Sequence, residues 1–158
     1  MPTVPSAGNV KKCVLGAGLL IAVLGPCTAT AALGQPEASV KSDVAQMRGS
    51  VKVTDNAGYR SHEIQMPSGT VVHEFSGVDG KVFAIEWSGP VMPNLRQTLG
   101  QYFDNYVAAA KANRSGHHHL EIHQTDLVVR SAGHMRAFSG IAYLPQAVPS
   151  GVSIGDLQ

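Results

Sequence analysis

Short turn segments divide the chain after residue 50, and they constrain its fold more than any other feature of the sequence. The segments at 55–58, 67–69 and 77–80 are rich in Gly, Pro, Asn and Asp, and two shorter ones follow, Gln124-Thr125 and Ala132-Gly133. The runs between them alternate apolar and polar residues, which is the pattern of half-buried β-strands. Connections this short join antiparallel neighbours, because a parallel crossover needs about a dozen residues or more. The pattern therefore predicts an antiparallel sheet.

The predicted strands form two groups. The runs are 50–54, 59–66, 70–76, 81–87, 118–123, 126–131 and 135–144. Neighbouring runs are close enough to form hairpins, so we expect a meander of about five to six strands. The pair Ser139-Gly140 indicates a bulge in the last strand. His73 alternates with Val71 and Phe75, which indicates an interior histidine that forms a hydrogen bond.

One long amphipathic segment, 94–112, separates the two groups of strands. Leu95, Leu99 and Tyr106 recur at helical spacing, which predicts a helix about 30 Å long with its apolar stripe on the sheet. Asn94 is the predicted N-cap, and Gln97 completes a capping-box pattern. A second, short helix is predicted at 36–48. Two helices with an antiparallel sheet make the predicted class α+β, in a single domain.

Residues 1–31 have a different composition from the rest of the chain. Lys11 and Lys12 precede an apolar run at 13–25, and a small-residue stretch ends in Ala29-Thr30-Ala31. This order of basic, apolar and small residues predicts a cleavable secretory signal that is cut after Ala31. A membrane anchor would need roughly 20 apolar residues. Lipidation at Cys27 is the other alternative, but Pro26 directly precedes that cysteine and should obstruct processing.

Cleavage would change the properties of the protein. Both cysteines lie in 1–31, so the mature chain would have neither disulfides nor thiol chemistry. Its net charge would change from +1 to about −1, because Lys11 and Lys12 are the only charged residues lost. We expect a globular domain at 32–144 and an irregular tail at 145–158. We also expect a periplasmic or secreted location, with no stable membrane span and no nucleic-acid partner.

A histidine cluster is the first candidate for chemistry. In a strand, His117, His119, Glu121 and His123 would project from one face, and imidazole and carboxylate groups bind zinc or copper. A flat strand spreads the outer pair roughly 20 Å apart, which is too far for one metal ion. A solvated polar face of an edge strand is therefore the favoured interpretation. Metal binding through these four residues is the alternative, and a pH-sensitive surface is another.

His134 and Arg136 are the second candidate. In a strand they would share a face and could contact an anionic ligand, because arginine presents a planar fork of donors. A capped strand end or an ordinary ion pair explains the same residues. The sequence contains no His-Glu-x-x-His, phosphate-loop or dinucleotide motif. No catalytic residue and no cofactor are therefore predicted.

Several short segments resemble one family of proteins. They are 32–34, 69–75, 82–90 (VFAIEWSGP), 99–103 (LGQYF) and 133–138 (GHMRAF). In this order they are similar to a family of small exported bacterial proteins known as domain of unknown function 2844. The resemblance implies export in a Gram-negative bacterium, and it implies no activity, cofactor or catalytic residue.

These observations together favour a non-enzymatic exported protein. We expect it to act as a binding or interaction module for an unidentified protein or small molecule of the bacterial envelope. The alternatives are a metal-binding protein that uses the histidine cluster, and a small hydrolase with a cleft near His134 and Arg136.

Overall fold

A seven-stranded antiparallel sheet forms the centre of the protein. The computed structural model describes residues 33–112 and 119–157. The strands are β1 (Ser50–Asn56), β2 (Tyr59–Gln65), β3 (Val71–Gly77), β4 (Val82–Gly89), β5 (His119–His123), β6 (Val128–His134) and β7 (Ala137–Tyr143). Their order across the sheet is β1-β2-β3-β4-β7-β6-β5, so β1 and β5 are the edges.

Helices cover one face of this sheet. α1 (Val40–Met47) follows a 3₁₀ turn at Glu37–Ser39, and together they form the 11-residue N-terminal helix. The second helical stretch has 18 residues and consists of α2 (Leu95–Leu99), a 3₁₀ turn at Gly100–Tyr102 and α3 (Phe103–Ala112). Fully buried residues of the sheet, such as Ile64, Val72 and Trp87, form the core beneath these helices.

The predicted α+β class is confirmed. The sheet has seven strands instead of five to six, and it is not a single meander. The long helical stretch carries the chain from β4 to the far edge at β5, and β6 and β7 then return until β7 pairs with β4. The sequence shows where strands lie, but this pairing depends on tertiary contacts between β4 and β7.

Two local expectations were wrong. The predicted bulge at Ser139-Gly140 is absent from the register of β7. The register shifts instead between β3 and β4, where Phe75–Ala84 is followed by Ser76–Val82 and Phe83 is the extra residue. Position 140 requires glycine because the Trp87 ring packs directly against the backbone there. A Cβ at this position would lie 2.3 Å from Trp87 Cζ2. Asn94 does cap α2, since its Oδ1 accepts from the backbone N–H groups of Arg96 and Gln97. The Gln97 side chain does not complete a capping box and instead binds Asp43.

The C-terminal segment covers part of the other face. Val148, Val152, Ile154 and Leu157 pack against Phe75, Phe83 and Tyr143, which form a second apolar cluster. His73 lies on this same face, where its ring stacks on Phe75 with 6.0 Å between centroids. It is half-buried and does not lie in the interior, because the interior face of β3 carries Val72, Glu74 and Ser76.

Candidate functional site

An apolar groove of about 540 Å³ lies between α1 and the edge of the sheet. Its walls come from Ala38, Val40 and Val44 on the helical side and from Val51 and Val53 on β1. Charged and polar side chains complete the rim, and these are Glu37, Lys41, Arg60 and His62. The groove combines an apolar floor with a few polar groups, which is the usual composition of a binding site.

The groove exists because α1 covers β2 and β3 but leaves β1 open. All seven residues of β1 are exposed, whereas His62 and Ile64 of β2 are buried. Val51 and Val53 pair with Ile64 and His62, so they project toward the helices. They nevertheless remain 44% and 51% exposed. Two valines on the inner face of an edge strand are thus left without a cover among the described residues.

The backbone of β1 is also open on one side. The β1–β2 hairpin closes at the pair Asn56–Tyr59, and hydrogen-bonded and non-hydrogen-bonded pairs alternate from there. Thr54 and Lys52 therefore direct their backbone groups to β2. Val51, Val53 and Asp55 direct theirs away from the sheet, and those at Val51 and Val53 lie beside the groove.

A polar group closes one end of the groove. Arg60 donates through Nη1 to Glu37 Oε1 at 2.7 Å and also binds Asp55 through Nε. His62 Nε2 lies 3.2 Å from the same Glu37 oxygen and 3.4 Å from Ser76 Oγ. Burial lowers the pKa of His62, although the nearby Glu37 carboxylate opposes this. His62 is therefore predominantly neutral at pH 7.

Two acidic residues lie beneath the helix beside His62. Asp43 of α1 and Glu74 of β3 are both fully buried, and Glu74 pairs with His62 across the strands. Gln97 Nε2 donates to Asp43 Oδ1 at 2.8 Å. If both carboxyl groups were ionised, Asp43 Oδ2 and both oxygens of Glu74 would have no hydrogen-bond donor among the described residues.

A proton shared by the carboxyl groups of Asp43 and Glu74 supplies the missing hydrogen bond between them. Ionised carboxylates only accept hydrogen bonds, whereas a protonated carboxyl can donate one. Burial, with the adjacent Asp43 carboxyl as the second cause, raises the pKa of Glu74 to about 9. Burial also raises the pKa of Asp43, while its hydrogen bonds from Gln97 and Glu74 oppose that change. Glu74 is therefore protonated at pH 7 and donates to Asp43.

The face of the sheet opposite the helices carries a row of charged side chains. Across neighbouring strands the row runs Lys52, Glu63, His73, Glu86, Ile141, Arg130 and Glu121. Burial raises the pKa of Glu86, and the neighbouring His73 partly offsets this. Charges of both signs alternate along the row, so this face favours neither a polyanion nor a polycation.

The structure places three members of the histidine cluster on β5, and His117 lies outside the described residues. Glu121 Oε1 is 2.8 Å from His123 Nε2, and Glu121 Oε2 is 3.9 Å from His119 Nε2. The hydrogen bond from His123 is the main cause that lowers the pKa of Glu121. Within 33–112 and 119–157, no group of three or more His, Cys, Asp or Glu side chains is arranged to hold a metal ion.

His134 and Arg136 lie at the β6–β7 hairpin, and both are exposed. They line a shallow recess of about 550 Å³ that also includes the hydroxyl residues Ser88 and Ser139. Arg136 has a left-handed backbone with φ 67°, which the tight turn requires. No carboxylate lines the recess in the described structure.

Sequence reasoning missed both the groove and the buried acids. The signal for the groove was the alternation of Val51 and Val53 in a strand whose other residues are polar. The signal for the acids was weaker: Glu74 alternates with Val72 and Ser76, and Asp43 lies one residue before Val44. Only the packing of α1 on β3 brings the two carboxyls together.

Comparisons with known proteins identify a family. No curated protein and no solved structure gives a significant match. None of the helices in the described part of the chain is long and apolar enough to cross a membrane. A model described as "Protein of unknown function (DUF2844)" matches residues 29–157, which include the whole described fold. The chain therefore belongs to the DUF2844 family.

Proposed function

We propose that this protein is an exported, non-enzymatic binding module of the bacterial envelope that binds an extended segment of a partner protein. The segment pairs with the free side of β1, and its apolar side chains enter the groove below α1. The observation that carries this proposal is the coincidence of open backbone groups and half-exposed valines at Val51 and Val53.

Physical principles support strand addition at this place. Edge strands are normally short, charged or covered, because an open edge pairs readily with another chain. β1 has seven residues and no cover among the described ones, and although it carries Lys52 and Asp55, its Val51 and Val53 face the groove. Peptide-binding domains that add a strand obtain affinity from main-chain hydrogen bonds, and pockets for alternate side chains provide specificity. The groove supplies such pockets on the side of Val51 and Val53.

The proposed location rests on the sequence. Residues 1–31 have the order of a secretory signal, and the family match begins at residue 29. These residues lie outside the described structure. A mature chain without cysteine would not depend on disulfide formation for its stability in an oxidising compartment.

A labelled peptide with alternating Val and Ser tests the proposed function. We expect saturable binding to the mature protein in fluorescence anisotropy. Val53→Pro removes one outward N–H group and spares the β1–β2 ladder, so it should weaken binding about fivefold through one lost hydrogen bond. Val53→Ser keeps that N–H and removes apolar contact, so it should weaken binding to a similar degree.

Val78→Ser is the matched control. Val78 is an exposed valine in the turn between β3 and β4, away from the groove. Its replacement should leave the affinity unchanged. Equal affinity of the wild type, Val53→Pro and Val53→Ser would refute the proposal, as would a lack of binding by the wild type.

A further inference from the structure

We infer that the partner segment is acidic as well as apolar: apolar residues face the groove, and Asp or Glu alternates with them. This inference rests on the proposed function, because it concerns the same edge of the sheet. It comes from the charges that surround β1.

Three cations near the edge form no ion pair among the described residues, although Glu63 of β2 lies directly opposite Lys52. Lys41 lies on the rim of the groove, Arg48 ends α1 just before β1, and Lys52 lies within β1. The ion pairs of this region involve Arg60, which binds both Glu37 and Asp55. Arg60 thus already binds Glu37 and Asp55, the acidic groups closest to the groove. Lys41, Arg48 and Lys52 form no ion pair with either of them.

The position of Lys52 determines where the acidic residue should be. Val51 and Val53 point toward the helices, so Lys52 between them points to the opposite face. A strand added beside β1 keeps the same alternation. Its residue opposite Lys52 therefore faces away from the groove, while its neighbours on either side face Val51 and Val53. Cross-strand pairs of opposite charge are favourable, and like charges directly opposite are unfavourable.

The same residue disfavours a second copy of this chain as the occupant. An antiparallel pair of β1 strands that places Val51 opposite Val53 puts Lys52 directly opposite Lys52 of the other copy. A lysine on an edge strand is a common device against such self-pairing. An acidic segment converts this repulsion into attraction, which is why a heterologous acidic partner fits better.

Three labelled peptides test the inference: alternating Val and Glu, alternating Val and Ser, and alternating Val and Lys. At low salt we expect the Glu peptide to bind the mature wild type about fivefold more tightly than the Ser peptide, and the Lys peptide to bind most weakly. The difference should shrink at 0.5 M NaCl because salt screens exposed charges. Lys52→Glu should reverse the order of the Glu and Lys peptides, whereas Lys52→Gln should narrow the difference between them, because Lys41 and Arg48 remain.

The outcomes separate this inference from the proposed function. If the Ser and Glu peptides bind equally and Lys52→Glu changes nothing, the acidic preference is wrong but strand addition stands. If no peptide binds, the proposed function itself fails. A wild-type dimer that Val53→Pro dissociates would identify a second copy as the occupant and would also overturn the inference. Lys81→Glu is the control for net charge, since Lys81 is exposed and lies outside the groove.

Discussion

The carboxyl groups of Asp43 and Glu74 meet in the interior between α1 and β3, and both residues are fully excluded from solvent. Two ionised carboxylates at such a site would repel each other in a medium that solvates neither. A single shared proton removes one charge and provides the missing hydrogen bond. This pair also positions α1, because Asp43 is on the helix and Glu74 is on the sheet.

We expect the stability of the protein to fall as the pH rises. The folded-state pKa of Glu74 lies above its unfolded value of 4.5, at about 9. Its contribution to stability is therefore complete below about pH 4.5 and is lost progressively as the pH rises toward 9. Glu74→Gln keeps the shape and a donor to Asp43 but cannot ionise. It should flatten this slope, which reaches at most about 1.4 kcal/mol per pH unit for one proton.

Urea denaturation between pH 4 and pH 10 measures this slope. Val72→Ala is the control, since Val72 is buried on the same strand and does not titrate. It should lower the free energy of unfolding at every pH and preserve the slope. An unchanged slope in Glu74→Gln would show that Glu74 is not the titrating group.

Gly140 should tolerate no larger side chain. A Cβ at this position would lie 2.3 Å from Trp87 Cζ2 and 2.7 Å from the carbonyl oxygen of Arg130. Gly140→Ala should therefore destabilise the protein by about 1–3 kcal/mol through overpacking. At Gly155 the nearest atom is Ser153 Oγ at 3.6 Å, so Gly155→Ala should have little effect. Thermal melts of the two variants provide the comparison, and equal melting temperatures would contradict the packing described for Trp87.

The C-terminal segment should contribute to stability. Leu157 is 6% exposed and belongs to the cluster with Phe75 and Phe83. Leu157→Ala should cost about 2–4 kcal/mol of unfolding free energy, as measured by chemical denaturation. The neighbouring Asp156 is exposed, and Asp156→Ala should change the free energy of unfolding by less than about 0.5 kcal/mol. If Leu157→Ala were equally mild, the segment would not pack as described.

The predicted secretory signal can be tested by the location and the N-terminus of the processed protein. Expression of the full chain in a Gram-negative host should give a periplasmic protein that begins at Ala32, as measured by intact mass. Small residues are required before the cut, so Ala31→Arg should block processing and leave the precursor uncleaved. Recovery of uncleaved wild-type protein from the cytoplasm would contradict the proposed export.

The sequence predicted those parts of the fold that depend on local patterns. Alternation located the strands, Asn94 marked the start of α2, and the Gly-rich turns showed that the sheet is antiparallel. The pairing of β7 with β4 was not predictable, because it depends on which faces the long helical stretch covers. Gly140 shows the same limit: its role depends on Trp87, which lies far away in sequence.

The candidate site was less predictable than the fold. Val51 and Val53 were recognisable as strand residues, but their exposure follows from the short reach of α1. Glu74 looked like one more polar residue in an alternating strand, and its burial beside Asp43 is a tertiary contact. His119, Glu121 and His123 attracted attention because of their type, yet among the described residues they are not arranged to hold a metal ion.

Amide hydrogen exchange measured by NMR tests strand addition at β1 most directly. The mature protein is compared with and without a saturating peptide of alternating Val and Glu. We expect the exchange of the Val51 and Val53 amides to slow, because their outward N–H groups gain partners, while the Lys52 and Thr54 amides, already bonded to β2, change little. Unchanged exchange at Val51 and Val53 in the presence of bound peptide, or protection at β5 instead, would contradict strand addition at β1.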